Sequence, residues 1–361
     1  MHRIATAVLV VFAAACSDQS PISTDTAGQP RLSASKAISP SANPFDIAVI
    51  GDTPYGGAAI GLFPTLVNAI NGDAKVREIV HVGDFKAGDE LCSDSRFRTS
   101  LDLYNTFKDP FIYAIGDNEW TDCNRANNGG YNPLERLSEV RRLFYPVAGK
   151  TLGGRNMTVE AQAGYPENQL WAESRVTFAV LHIIGSNNGL DVWFKDRKVN
   201  GALVPETPAE GAARAAEVAA RQTANLAWLE HAFATAEAEG SLGIVLFFQA
   251  DLWHPEDRAG GKKFFAHQAW VERFAQLASA FKGKVLLVSG DSHDYRVDQG
   301  APWLFTAYGV TAPANVTQVI VDRTIESPAS DAGTPSVIEW LRLHVDPRSP
   351  ELFSWEQVIV Q

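Results

Sequence analysis

Three glycine–aspartate pairs stand at nearly even intervals in the first third of the chain. The pairs are Gly51-Asp52, Gly83-Asp84 and Gly116-Asp117. Successive aspartates are 32 and 33 residues apart, and each pair directly follows a short apolar stretch typical of a buried strand. Because the carboxyl ends of neighbouring parallel strands meet at one edge of a sheet, these carboxylates are predicted to converge there. Converging carboxylates repel one another unless a cation neutralises them, so the pattern predicts a metal site.

The elements that must position these carboxylates alternate between strand and helix. Strands are predicted at 45–50, 78–82, 111–115, 176–184, 242–248, 284–289, 316–321, 337–344 and 352–360. Helices are predicted near 58–71, 97–107, 208–239 and 266–281. This alternation is typical of an α/β protein. We expect one α/β (α+β) domain over residues 44–361, with a two-layer β-sandwich core flanked by helices.

Further candidate ligands follow predicted strands in the second half of the chain. Gln249 or Asp251 comes after strand 242–248, and Asp291 and His293 come after strand 284–289. The full candidate set is Asp52, Asp84, Asp117 or Asn118, Gln249 or Asp251, Asp291 and His293. It offers many oxygen atoms and one imidazole, which favours hard divalent cations such as Mn²⁺, Mg²⁺ or Ca²⁺ over zinc or iron. The sequence leaves open whether one ion or two are bound.

This succession of motifs resembles the calcineurin-like metallophosphoesterase family between about Asp46 and Asp298. The family carries five blocks, D-x-H, G-D, G-N-H-D/E, a lone His and G-H-x-H, which together bind two divalent metals. The resemblance places Asp52 in the first block, Asp84 at the metal-bridging position and residues 116–119 in the third block. Gln249 or Asp251 then falls in the fourth block and 290–293 in the fifth.

Most of the family's histidines are replaced in this chain. Pro54, Asn118, Gln249 and Asp291 stand in their positions, and His293 alone remains. The resemblance implies hydrolysis of a phosphomonoester or phosphodiester by a metal-activated water. Three of the four replacements are still oxygen ligands, which favours an enzyme over the alternative, a non-catalytic binding lipoprotein on a degenerate metallophosphoesterase fold.

The catalytic acid of the family has no obvious counterpart here. Asn118 occupies its position, and His254 is a second candidate if its loop folds back towards the site. The alternative for His254 is a loop histidine that faces solvent. Tyr55, Arg125 and the pair Asn187-Asn188 are candidate contacts to a small phosphorylated substrate. Each also has a structural explanation: Tyr55 could pack over the site, Arg125 could form a surface ion pair, and the two asparagines could form a turn.

Charge and missing motifs exclude other classes. The chain has 31 Lys and Arg against 42 Asp and Glu, a net charge of −11. We therefore expect no binding to a nucleic-acid backbone, which requires a basic face. The sequence has no G-x-S-x-G, G-x-G-x-x-G or P-loop motif, which disfavours a serine hydrolase and a nucleotide-cofactor enzyme.

The amino-terminal segment is predicted to be an export signal. Residues 4–15 form an apolar run of signal-peptide length, and the following Cys16 completes a stretch that resembles a bacterial lipobox. We expect a signal peptide over 1–15, lipid on Cys16, a flexible tether over 16–43 and membrane contact only through the lipid; Ser17 favours the outer membrane. A plainly cleaved secretory signal is the alternative. In the oxidising periplasm or at the cell surface, Cys92 and Cys123 would form a disulfide rather than two free thiols.

Overall fold

The computed structural model describes residues 43–253, 264–299, 305–326 and 336–360. Two β-sheets pack face to face, and helices cover their outer faces. The prediction of a two-layer β core flanked by helices is confirmed.

The strands and helices account for all elements predicted from the sequence. The strands are β1 (Phe45–Ile50), β2 (Val76–His81), β3 (Phe111–Tyr113), β4 (Glu160–Gln162), β5 (Tyr165–Glu173), β6 (Val176–Val180), β7 (Lys198–Val199), β8 (Ala202–Leu203), β9 (Gly243–Phe247), β10 (Lys284–Ser289), β11 (Arg296–Gln299), β12 (Val316–Ile320), β13 (Ile325–Glu326), β14 (Val337–Val345) and β15 (Phe353–Ile359). The longer helices are α1 (Gly56–Gly72), α2 (Asp94–Tyr104), α3 (Pro133–Phe144), α4 (Pro208–Ala238) and α5 (Gln268–Ala280). Short helical turns lie at Asp122–Asn124, Ala126–Asn128, Gly185–Asn188 and Phe264–His267. In the described ranges, no helix has the length and apolar character needed to cross a membrane.

Each sheet contains a parallel centre that gathers strand ends at one edge. The first sheet has the order β13-β14-β1-β2-β3, with β15 also paired to β14, and β1, β2 and β3 are parallel. The second has the order β11-β12-β10-β9-β6-β5-β4, and β6, β9, β10 and β12 are parallel. The predicted ligands follow the carboxyl ends of these parallel strands.

Side chains of each central strand contribute to two apolar layers, one on each face of the sheet. In β1, Ile47 and Val49 belong to the apolar layer between the sheets, whereas Ala48 and Ile50 contribute to the layer beneath the outer helices. Successive side chains of a strand point to opposite faces, so a strand that is covered on both faces is largely apolar. This continuous apolar character made the parallel strands recognisable in the sequence.

The longest helix, α4, has a well-defined beginning. Thr207 accepts a hydrogen bond from the backbone of Glu210, whose side chain bonds back to Thr207, and Pro208 occupies the first turn. This capping box satisfies backbone donors that would otherwise lack partners. Trp228 and Phe233 then lie on the buried side of the helix, in the apolar layer over the second sheet.

Candidate metal centre

Three of the candidate carboxylates converge at the strand ends, and Asp52 is not one of the three. Asp84 follows β2, Asp117 follows β3 and Asp291 follows β10, and one oxygen of each lies within 4.8 Å of the other two. They line a cleft of about 770 Å³. Because β2 and β3 belong to the first sheet and β10 to the second, the cluster exists only where the two sheets meet.

The backbone at these strand ends adopts an unusual conformation. Asp52, Asp84 and Asp291, each directly after a glycine, have φ values of 53°, 62° and 74°, and His293 has 60°. This left-handed region is uncommon for residues other than glycine, although aspartate tolerates it better than most. The close packing also explains Gly116, since a Cβ there would collide with the Asp84 carboxylate.

Gln249 lies at the centre of the carboxylate cluster. Its side-chain nitrogen donates to Asp84 Oδ2 at 2.9 Å, Asp117 Oδ1 at 3.1 Å and Asp291 Oδ1 at 3.0 Å. Its oxygen accepts a hydrogen bond from the Gly185 backbone N–H at 2.6 Å. A backbone N–H can only donate, which fixes the orientation of the amide. Gln249, predicted as an oxygen ligand, therefore presents its nitrogen to the carboxylates.

The Gln249 amide adds no positive charge to the cluster. The amide is neutral, and its two N–H groups are shared among three carboxylates. Burial, together with the charges of Asp117 and other neighbouring carboxylates, raises the pKa of both Asp84 and Asp291 well above the ordinary range. The cluster is therefore chemically suited to a hard cation that binds oxygen.

Beside the cluster, His293 lies between Arg323 and Asp52. His293 Nδ1 lies 2.6 Å from a guanidinium nitrogen of Arg323, and His293 Nε2 lies 3.1 Å from Asp52 Oδ1. Since arginine only donates, Nδ1 accepts, and the ring proton lies on Nε2, whose hydrogen-bond partner is the Tyr55 hydroxyl at 3.4 Å. Tyr55 donates to the same Asp52 oxygen at 3.1 Å, and the Asp291 backbone N–H donates to the other at 3.2 Å. In this arrangement both ring nitrogens of His293, predicted as the imidazole ligand, are engaged by protein groups.

The remaining predicted ligands, Asp251 and Asn118, lie beside the cluster. The carboxylate of Asp251 pairs with Arg296 at 2.8 Å, while its backbone N–H donates to Asp291 at 3.3 Å. Asn118 donates its backbone N–H to Asp84 Oδ1 at 3.2 Å and its side-chain nitrogen to the Tyr55 hydroxyl at 3.4 Å. Both residues line the cleft and support the carboxylates.

The predicted substrate contacts are only partly brought together. Tyr55, Arg125 and Asn187 line the cleft, with Arg125 ion-paired to Asp122 at 2.8 Å. Asn188 instead is buried and bonds to Arg221 and to the backbone of Ala266. The side chain of Asn188 is thus used inside the protein.

The predicted disulfide is confirmed. Cys92 and Cys123 are bonded with a Cα–Cα distance of 5.6 Å, and both sulfur atoms lie close to the Asn118 carbonyl oxygen. The bond therefore joins the segment after Asp84 to the segment after Asp117. His254 and Cys16, the predicted lipidation site, lie outside the described residues.

Sequence reasoning missed two buried charges behind the cluster. Glu119 accepts from the backbone N–H groups of Gly116 at 2.6 Å and Asp84 at 3.3 Å, and burial raises its pKa. The Lys86 ammonium group donates to the carbonyl oxygens of Ala87 and Asn118, both at 2.8 Å, and burial lowers its pKa. Glu119 stands inside the Gly-Asp-Asn-Glu motif, which was an available signal; nothing local distinguishes Lys86.

Comparison with known proteins yields distant structural similarities. No protein-family model and no curated protein sequence matches the chain. Among solved structures, the chain is similar to a purple acid phosphatase from yellow lupin (Lupinus luteus) seeds, with 10% identity, a TM-score of 0.48 and coverage of 89% of this chain. The chain spans about half (52%) of the length of that phosphatase. It is also similar to GAP50, described as the anchor in the inner membrane complex of Plasmodium, with 10% identity, a TM-score of 0.39 and coverage of 88% and 89% of the two chains.

Proposed function

We propose that the protein is a metal-dependent phosphoesterase that acts on a small phosphomonoester or phosphodiester. The observation that carries this proposal is the convergence of Asp84, Asp117 and Asp291 on one point of an open cleft. Carboxylates at three strand ends, drawn from two sheets, form a site that a structural role alone does not require.

We further propose a single hard cation, Mn²⁺, Mg²⁺ or Ca²⁺, held by these three aspartates. Gln249 turns its amide nitrogen rather than its oxygen towards the aspartates, and both ring nitrogens of His293 face protein groups, so these two side chains do not offer the ligand atoms that a second ion would use. When bound, a divalent cation neutralises charge on a phosphoryl oxygen and makes an attacking water more acidic.

The charge of the cleft supports the need for a cation. Seven carboxylates line it, from Asp84, Asp89, Glu90, Asp117, Asp122, Asp251 and Asp291, against the arginines Arg125 and Arg323. An anionic phosphoester would be repelled by such a surface unless part of this charge were neutralised. Around the reacting group, Tyr55 and Asn118 supply a hydroxyl and an amide that can orient the substrate.

The test combines metal analysis with a phosphoester panel. The purified protein, stripped with a chelator and reloaded with each ion, is expected to bind about one equivalent and to hydrolyse an ester only when loaded. Asp84→Asn should lose both the ion and turnover, whereas Asp102→Asn, at an exposed position of α2, should keep both. Equal activity of the chelated and loaded protein would overturn the proposal.

One observation favours a second candidate, a non-catalytic binding protein with a structural cation. The direct hydrogen bonds from Gln249 to the carboxylates hold the cluster together by protein groups alone. This candidate predicts tight binding of a cation, a cation-dependent rise in stability and no turnover of any ester in the panel.

We also propose export and lipid anchoring in the bacterial envelope, most simply at the outer membrane. The lipobox-like segment before Cys16 supports it, and so does the Cys92–Cys123 disulfide, because such bonds persist in oxidising compartments. The expressed full chain should fractionate with membranes, and Cys16→Ser should release it. An amino-terminal peptide of unmodified mass from the membrane fraction would contradict the anchor.

A further inference from the structure

Two arginines line the cleft, and they differ in how their charge is used. Arg125 is ion-paired with Asp122 at 2.8 Å and also donates to the Gly88 carbonyl at 3.1 Å. Among the residues that the structure describes, no carboxylate lies within ion-pair distance of Arg323, and its buried Nε lacks a hydrogen-bond partner. Of the two arginines, Arg323 is therefore the one whose charge is not neutralised by a carboxylate of the described residues.

The position of Arg323 is fixed by its neighbours. It follows β12, a parallel strand of the second sheet, and so reaches the same edge as the carboxylate cluster. Its guanidinium lies over the Tyr55 ring at 5.0 Å from the centroid and donates to His293 Nδ1 at 2.6 Å. Two cleft-lining side chains thus hold a flat cation in place without cancelling its charge.

We propose that Arg323 binds the anionic phosphoryl group of the substrate. The proposal rests on the proposed function, because the aspartate cluster and its cation would bind the same group from within the same cleft. A guanidinium offers several N–H donors in a planar fork that matches two phosphoryl oxygens, so it can orient the group as well as attract it. Since seven carboxylates line the cleft and Asp122 pairs with Arg125, Arg323 would select substrates with one compact anionic group.

The experiment measures the binding of inorganic phosphate by calorimetry to cation-loaded protein. Arg323→Met is expected to weaken phosphate binding by about 10- to 100-fold, the usual effect of losing a charge-assisted contact, while cation affinity stays unchanged. Arg323→Lys keeps the charge without the fork and should fall between the two. Arg348→Met, at an exposed site, is the matched control and should bind phosphate as the unmodified protein does.

Arg125→Met provides the internal comparison. Because Asp122 already neutralises Arg125, this variant should lose less phosphate affinity than Arg323→Met. Phosphate binding by Arg323→Met within twofold of the unmodified protein, a larger loss in Arg125→Met, or no phosphate binding by the loaded unmodified protein would each overturn the proposal. Urea unfolding of each variant separates misfolding from a lost contact, and Arg323→Lys retains the test if Arg323→Met does not fold.

The two proposals fail separately. Cation-dependent turnover with an unchanged KM in Arg323→Met would leave the phosphoesterase and remove the role of Arg323. Phosphate binding that depends on Arg323, without turnover of any ester, would retain the anion site and remove the enzyme.

Discussion

Replacement of Gln249 by glutamate tests the carboxylate cluster most directly. Gln249→Glu keeps the size of the side chain and an oxygen that accepts from the Gly185 N–H, but it removes both amide hydrogens and adds a fourth carboxylate. Two hydrogen bonds to charged groups, at about 1.5–3 kcal/mol each, give an expected loss of about 3–6 kcal/mol of unfolding free energy without a cation. Domains are typically stable by only about 5–15 kcal/mol, so the loss should be large.

The assay is urea unfolding at neutral pH, monitored by tryptophan fluorescence. Each protein is measured once with a chelator and once with Mn²⁺. Mn²⁺ should restore most of the loss, because a cation satisfies the oxygens that the amide no longer covers. Gln222→Glu is the matched control: its amide nitrogen donates to the Ala266 carbonyl at 2.8 Å, so only about 1 kcal/mol should be lost, with no Mn²⁺ effect beyond that on the unmodified protein. If chelated Gln249→Glu were as stable as the unmodified protein, the role assigned to Gln249 would be refuted.

Three other predictions concern pH, the disulfide and metal preference. Burial raises the pKa of Glu78, which accepts a hydrogen bond from the Trp171 indole, from 4.5 to about 8. Because the folded state therefore holds this proton more tightly than the unfolded state, the free energy of unfolding should fall by about 5 kcal/mol as the pH rises from 4.5 to about 8. Glu78→Gln should remove this decline, and an unchanged pH slope in urea unfolding would contradict it. Replacing Cys92 and Cys123 by serine should cost about 3–4 kcal/mol for a loop of 31 residues, whereas equal urea midpoints would show no such contribution. Asp291→His should raise zinc affinity relative to manganese in competition binding, and an unchanged ratio would mean that Asp291 is not a ligand.

The strand ends of the site were predictable because local signals agree with the fold. The parallel strands are largely apolar, and the glycine–aspartate pairs mark where they stop, so Asp52, Asp84 and Asp291 could be placed from the sequence. Helix α3 was missed although Asn132 caps it and Pro133 begins it, a recognisable start signal.

Other features depend on contacts that sequence patterns do not contain. Strand β5 was missed because its buried centre is polar, and its Glu167 is satisfied by Arg141 and by His182 at 2.9 Å from other elements. Gln249 was recognised as a candidate ligand, but the orientation of its amide is set by the backbone N–H of Gly185, 64 positions earlier in the chain. An amide offers either oxygen or nitrogen, and only tertiary structure decides which one faces the carboxylates.

The joining of two sheets at the cluster has a kinetic consequence. Asp84 and Asp291 are 207 positions apart (291 − 84), and each belongs to a different sheet. The three carboxylates therefore come together only when both sheets have formed and docked, and we expect this contact to form late in folding. An interaction absent from the transition state leaves the folding rate unchanged and slows unfolding. A cation bound there would lengthen the lifetime of the native chain, protecting it from proteases wherever degradation is limited by the rate of unfolding.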